Sequence, residues 1–210
     1  MFKQTNRQSS TALFLRHGET DYSKNRFYND TVEDPPLNDR GRTQAGAWAP
    51  WLKENDRSIG AVYVSPSRRT LETAELAAQG LGMEAQMIEG LGERHFGQWG
   101  GLSKEAAQTR FPEAWSAWKQ DPIRYTPPDG ESLIGFSIRV KETMRELVSA
   151  HPGHRFLVIT HAGTIRMAVS AALGVPIQNF KRLIVTHGSM TVLEYTEQWP
   201  NLHALSFIPK

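Results

Sequence analysis

The sequence predicts a three-layer α/β protein, a mostly parallel central sheet with helices on both sides, and three observations predict it. Residues 12–15 (ALFL), 61–64 (AVYV) and 156–159 (FLVI) form apolar runs too short for helices and rich in β-branched or aromatic residues, as strands buried on both faces are. Each run is followed by a helix-competent segment, and strands alternating with helices imply a parallel sheet. Arginine and histidine recur just past the carboxyl ends of these runs, where open α/β sheets place their ligand sites.

Taken in order, residues 1–10 are polar and read as a flexible tail before the first strand. A helix is expected from about Arg40, ended or kinked by Pro50. After the second strand, Ser65 is placed to cap a helix whose first position suits Pro66. An apolar stretch near Met87 and Ile88 precedes the glycine-punctuated loop LGERHFGQWGGL, residues 91–102. Residues 103–130 carry Trp115, Trp118, Arg124 and Tyr125 and form a possible cap. The tryptophan spacing suits packing against the sheet, whereas Arg124 and Tyr125 are assigned to a lid. A Pro-Pro-Asp-Gly turn leads into a helix over 134–150 with Val140, Met144, Leu147 and Val148 on one face. The helix after the third strand stops at Gly174 and Pro176. His187 precedes a further apparent strand and is as consistent with a pocket rim as with a structural role.

Length and composition suit one domain spanning 1–210, with 39% hydrophobic and 22% charged residues. A formal charge of +2 gives no broad footprint for nucleic acid or membrane, so any anion affinity must be local. Zero cysteines exclude disulfides and thiolate metal sites and fit the cytoplasm. The N-terminus lacks an apolar signal core, no run approaches the ~20 residues of a membrane span, and a monomer or homodimer is expected.

The sheet rule converts scattered residues into one site: Arg16 and His17 after the first strand, Arg69 in the first turn after the second, and His161 after the third. Guanidinium forks match phosphate oxygens, and helix N-termini add N–H groups and a favourable dipole. A neutral imidazole in such a cationic pocket can attack phosphorus. The departing alkoxide needs a proton, which Glu93 is placed to supply; burial would raise its pKa and the arginines would lower it. Taken alone, an Arg-His pair after a strand is ordinary loop polarity, and it is the joint placement that favours chemistry. Gly97, Gly100 and Gly101 lack the Lys-Ser/Thr of a phosphate-binding loop, and no HExxH metal motif is present. His17, His161 and Glu93 nonetheless make a conceivable metal set. His95, His151, His154 and His203 have no comparable context.

Six ordered motifs extend this reading: LRHGET (15–20), LNDRGRTQA (37–45), SPSRRTLETA (65–74), ERHFGQWGG (93–101), GES (130–132) and THAGTIR (160–166). Together they resemble the motif set of the histidine phosphatase, or phosphoglycerate mutase-like, superfamily over nearly the whole chain. The resemblance implies that His17 is the phosphorylated nucleophile, that Arg16, Arg69 and His161 bind and polarise the phosphoryl group, that Glu93 donates the proton, and that no metal or other cofactor is needed. Arg69 is chosen over Arg68 by its spacing from Ser65, with Arg68 the substitute. The expected substrate rim is Arg16, Ser23, Tyr28, Asn29, Arg69, Arg94, Ala162 and Gly163, with Asp30 in the same loop as Tyr28. Ser23 stands where mutases of the superfamily carry Asn, and Phe96 where they carry Tyr, and the long basic insertion of mutases is missing. A phosphatase acting on a small phosphorylated metabolite is therefore expected, in two in-line steps. A mutase, a metallohydrolase and a non-catalytic phospho-ligand binder are the alternatives.

Overall fold

The computed structural model describes residues 9–22, 26–27, 34–55 and 58–209. Six strands form one sheet in the order β3-β2-β4-β1-β5-β6, where β1 is Ser10–Arg16, β2 Ile59–Val64, β3 Ala85–Met87, β4 Arg155–Thr160, β5 Met190–Tyr195 and β6 Asn201–Phe207. The four strands from β3 to β1 are parallel; β5 runs antiparallel to β1, and β6 antiparallel to β5. The expected mostly parallel sheet is present.

Alternation along the central strands explains the three layers. Ala12 and Phe14 of β1 join Phe156 and Val158 of β4 beneath α6 (Leu133–Ala150) and α7 (Ala162–Leu173). Leu13 and Leu15 point the other way with Leu157 and Ile159, under α2 (Trp48–Asn55) and α3 (Arg68–Ala78). All eight strand residues are fully buried, and each large apolar side chain so placed contributes ~1.5–3 kcal/mol. The helix α1 (Asp39–Gly46) packs on α3.

The predicted helices differ from the structure at two starts. The break falls at Ala47, before Pro50, so Pro50 occupies the first turn of α2, where its missing N–H costs no helical bond. Ser65 does not cap α3; its N–H donates to Ile159 O at 3.0 Å, which keeps it in the sheet, and Ser67 precedes the helix instead. The α6 face is as read, with Val140, Met144 and Leu147 buried and Val148 packed against them, and α7 ends at the left-handed Gly174.

Residues 103–130 hold α4 (Lys104–Arg110) and α5 (Pro112–Gln120). Here Trp115 and Trp118 pack with Phe27 and the fully buried Trp99 in a satellite cluster, not against the sheet as expected. Both tryptophans lie on α5, and the face their helical spacing forms meets Phe27 and Trp99. Tyr125 packs on the same cluster, whereas the exposed Arg124 pairs only loosely with Asp121 at 3.7 Å. Among the described residues no helix is long and apolar enough to cross a membrane.

Candidate active site

The ends of β1 and β4 are in register, Arg16 opposite Thr160, so His17 and His161 leave the sheet side by side. Their rings are 5.3 Å apart between centroids, and both are buried. The main chain of His17 continues the ladder by donating to Thr160 O at 3.0 Å, which fixes where the ring departs.

The hydrogen-bond partners assign the tautomers. His17 Nδ1 lies 2.7 Å from Gly18 O, a group that only accepts, so Nδ1 carries the proton and Nε2 keeps its lone pair. His161 Nδ1 lies 3.0 Å from Arg69 Nη2, a group that only donates, so here Nε2 carries the proton and donates to Ser65 Oγ at 2.8 Å. Burial, reinforced by Arg69 and Arg16, holds both imidazoles well below the ordinary histidine pKa, and therefore neutral.

Each guanidinium is held from behind. Arg16 donates to Val185 O at 2.8 Å and to His187 Nε2 at 2.5 Å. His187, the residue read as ambiguous, thus joins the site, with its ring 5.5 Å from that of His17. Burial and then Arg16 and Arg40 push its pKa down to about 3. Arg69 is fully buried and also pairs with Asp34 at 3.0 Å. The neighbouring Arg68 points outward to Glu72 at 2.8 Å, so the structure brings Arg69 and not Arg68 to the histidines.

Glycines let these loops meet. A side chain at Gly18 would place its Cβ 2.3 Å from Gly41 O, and one at Gly41 would lie 2.1 Å from Glu19 O. The RHG and DRG motifs therefore interlock by backbone contact, secured by Asn38, which caps α1 at Gly41 N (2.9 Å) and donates to Glu19 (3.2 Å).

Glu93 sits at the N-terminus of α7. Its Oε2 accepts from Gly163 N at 3.0 Å and its Oε1 from Arg94 N at 2.9 Å. Arg139 holds the loop in place, donating to the main-chain oxygens of Gly90, Gly92 and Glu93 at 3.0, 3.0 and 3.3 Å and pairing with Glu131 at 2.7 Å. The GES motif therefore contributes Glu131 to this clamp and Ser132 as the cap of α6. Arg94 is buried, with Nε donating to Glu131 O at 2.9 Å, and burial lowers its pKa. Gly163 is thus a ligand of Glu93, and Ala162 begins α7 directly after His161.

Ser23, Tyr28, Asn29 and Asp30 lie outside the described residues. Four contributors had no sequence expectation: Asp34, Arg139, Glu131 as a clamp, and Ser65 as a histidine partner. The GES motif contained Glu131 and the SPSRRTLETA motif contained Ser65, while no motif contained Asp34 or Arg139. Among the described residues no three histidines or carboxylates cluster to hold a metal ion. His151 takes a hydrogen bond with Tyr63 at 2.7 Å and His203 pairs with Glu194 at 3.0 Å, both away from the site.

A lone-pair nitrogen, two anchored guanidiniums and a carboxyl group at a helix N-terminus can together bind a phosphoryl dianion and transfer it. Residues 12–207 match the family model of the histidine phosphatase superfamily (branch 1). A bifunctional protein of Mycobacterium tuberculosis is 34% identical over 183 residues, which are 87% of this chain and 50% of that protein, so the chain spans half its length. Glucosyl-3-phosphoglycerate phosphatase of the same species is 29% identical over 179 residues, covering 81% of this chain and 78% of the relative. The crystal structure of the alpha-ribazole phosphatase from Shigella flexneri superposes with a TM-score of 0.85 at 25% identity, covering 94% of this chain and 96% of that one.

Proposed function

The chain belongs to the histidine phosphatase superfamily, and on that premise we propose that it is a metal-independent phosphomonoesterase that hydrolyses a small phosphorylated metabolite through a phosphohistidine. Relatives described as phosphatases support hydrolysis of a phosphoric monoester. The observation that carries the finer reading is the tautomer of His17: with Nδ1–H bound to Gly18 O, it is Nε2 that carries the lone pair, in surroundings made cationic by Arg69 and Arg16.

In the first step His17 Nε2 attacks phosphorus, the P–O bond to the alcohol breaks, and Glu93 gives its proton to the departing oxygen. In the second, Glu93 takes a proton from water, whose oxygen attacks phosphorus and frees the imidazole with release of inorganic phosphate. Arg16 and Arg69 offset the charge on the equatorial oxygens throughout. Arg69 is oriented for this by His161 and Asp34.

The test is phosphate release from p-nitrophenyl phosphate by the unmodified protein, by His17→Ala and in the presence of a chelator. Release by the unmodified protein, unaffected by chelation and abolished by His17→Ala, is the expected result. Activity retained by His17→Ala would refute the mechanism, and activity lost to the chelator would refute metal independence. A coupled assay with a bisphosphate primer separates hydrolysis from isomerisation of a phosphoglycerate.

A further inference from the structure

The edge strand β6 contains a serine in a backbone conformation that favours glycine. Ser206 has φ +58°, in the left-handed region, one of two described non-glycine residues with positive φ. The position lies in a bulge: from Phe207 to Ala204 in β6 the paired strand β5 advances only from Met190 to Val192, so β6 carries one extra residue there. Bulges re-aim side chains, and a strained residue persists only where its surroundings over-determine it. Glycine would adopt this backbone more readily, so what serine adds at 206 is its hydroxyl.

That hydroxyl is bonded wholly to the segment 186–189. Ser206 Oγ accepts from Thr186 N at 2.8 Å and lies 3.0 Å from both Thr186 Oγ1 and Ser189 Oγ. Ser189 gives its own proton to Thr186 O at 2.7 Å, so its oxygen accepts the Ser206 proton, and the Thr186 hydroxyl donates to Ser206. The proton and both lone pairs of Ser206 are thereby used. The Ser206 N–H donates to Thr191 Oγ1 at 3.2 Å, which ties the bulge back to β5. The segment it holds borders Arg16 and His17: Arg16 N donates to Ser189 O at 3.0 Å, and Gly188 N to His17 O at 3.1 Å. His187, at its centre, bonds the Arg16 guanidinium at 2.5 Å. Among the described residues no other hydrogen bond holds the His187 ring, so the main chain on either side sets its place.

We propose that Ser206 is a positioning residue for phosphoryl binding: its hydroxyl, aimed by the left-handed bulge, fixes the 186–189 segment so that His187 orients the Arg16 guanidinium. Ser206 touches neither the guanidinium nor the proposed nucleophile and acts through the His187 ring. The edge strand farthest along the sheet from β2 and β3 thus takes part in the site at the end of β1. The proposal rests on the phosphatase reading for the role of Arg16 as a phosphoryl ligand.

The experiment measures binding of inorganic phosphate to the full chain by titration calorimetry. Ser206→Gly removes the hydroxyl and relaxes the backbone, which protects the fold, and Ser206→Ala removes the hydroxyl alone. Both are expected to weaken phosphate binding ~3–10-fold, the scale of one net hydrogen bond. With His187→Ala already present, Ser206→Gly is expected to cost less than ~2-fold, because the ring through which it acts is gone, whereas with Glu93→Gln present it keeps its full effect. Phosphate binding unchanged by Ser206→Gly would mean that the position needs only its backbone conformation. An equal cost with and without the His187 ring, or a cost that disappears with Glu93→Gln, would show a route other than His187. Each of these results, or no phosphate binding by the unmodified protein, would overturn the proposal. Phosphate release from p-nitrophenyl phosphate is measured separately on the unmodified protein; its absence would count against the phosphatase reading alone and leave this affinity cycle standing.

Discussion

Gly163 donates its main-chain N–H to Glu93 Oε2 at 3.0 Å, and a Cβ added to Gly163 would fall 2.0 Å from Oε1 of the same carboxylate. The proposed acid is therefore held by a residue that has room for nothing but hydrogen. Gly163→Ala must push the carboxylate off the helix N-terminus. It is expected to lower kcat by ~10²–10³-fold, within the range contributed by general acids, while inorganic phosphate inhibits as before. A kcat within ~3-fold of the unmodified protein would show that Glu93 is not the acid, because general acids are worth more than that. Glu93→Gln is expected to slow the first step to a similar degree.

The clamp on the same loop gives a second prediction. Arg139 ties three main-chain oxygens and Glu131 together, and Lys cannot reproduce that fork. Arg139→Lys is expected to reduce kcat more than it raises KM, since Arg16 and Arg69, the arginines proposed to bind the phosphoryl group, are untouched. Steady-state kinetics decides: a pure KM effect would mean that the clamp shapes substrate binding and not the acid.

Adjacent arginines give a third. Arg69 is fully buried against His161, whereas the Arg68 side chain is 59% exposed. Replacing Arg69 by Ala is expected to lower kcat/KM by ~10²-fold, the scale of one charge-assisted contact with a phosphoryl group, and Arg68→Ala to change it by less than ~3-fold. The reverse order would mean that the spacing from Ser65 had selected the wrong residue.

What could be read before the fold was known divides along physical lines. Arg16, His17, Arg69 and His161 were legible because each directly follows a buried strand or opens the helix after it, and strand ends in a parallel sheet converge. Residues whose role depends on long-range contact were not. Asp34 reaches Arg69 across 35 positions with nothing local to mark it, and the GES motif flagged Glu131 without showing that it pairs with Arg139 to hold the Glu93 loop. Edge strands β3 and β6 carry weak patterns, because three residues and a half-exposed face leave little periodicity to detect. Trp115 and Trp118 showed that helical spacing identifies a packed face without identifying its partner.

The buried histidines give a prediction on pH. His17 and His161 stay neutral well below the usual range, and His187 down to about 3, while the unfolded chain protonates all three near 6.5. Below that value the unfolded state binds more protons, so stability is constant above about 7 and falls as the pH drops toward 5, by up to ~1.4 kcal/mol per pH unit for each such histidine. Glu194, held at about 2 by Ser9, His203 and Asn201, titrates below this window. Urea midpoints at pH 7 and pH 5 check the sign, and the difference should shrink in His161→Gln. Equal midpoints would contradict the neutral, buried placement.

The central claim concerns a covalent bond at one nitrogen. During turnover of p-nitrophenyl phosphate, an alkaline quench followed by peptide mass spectrometry is expected to find a single phosphoryl group on His17, stable to base, lost in acid, and absent from His17→Ala. Turnover that proceeds with His17 unmodified at every quench time, or a phosphoryl group on another residue, would contradict the account.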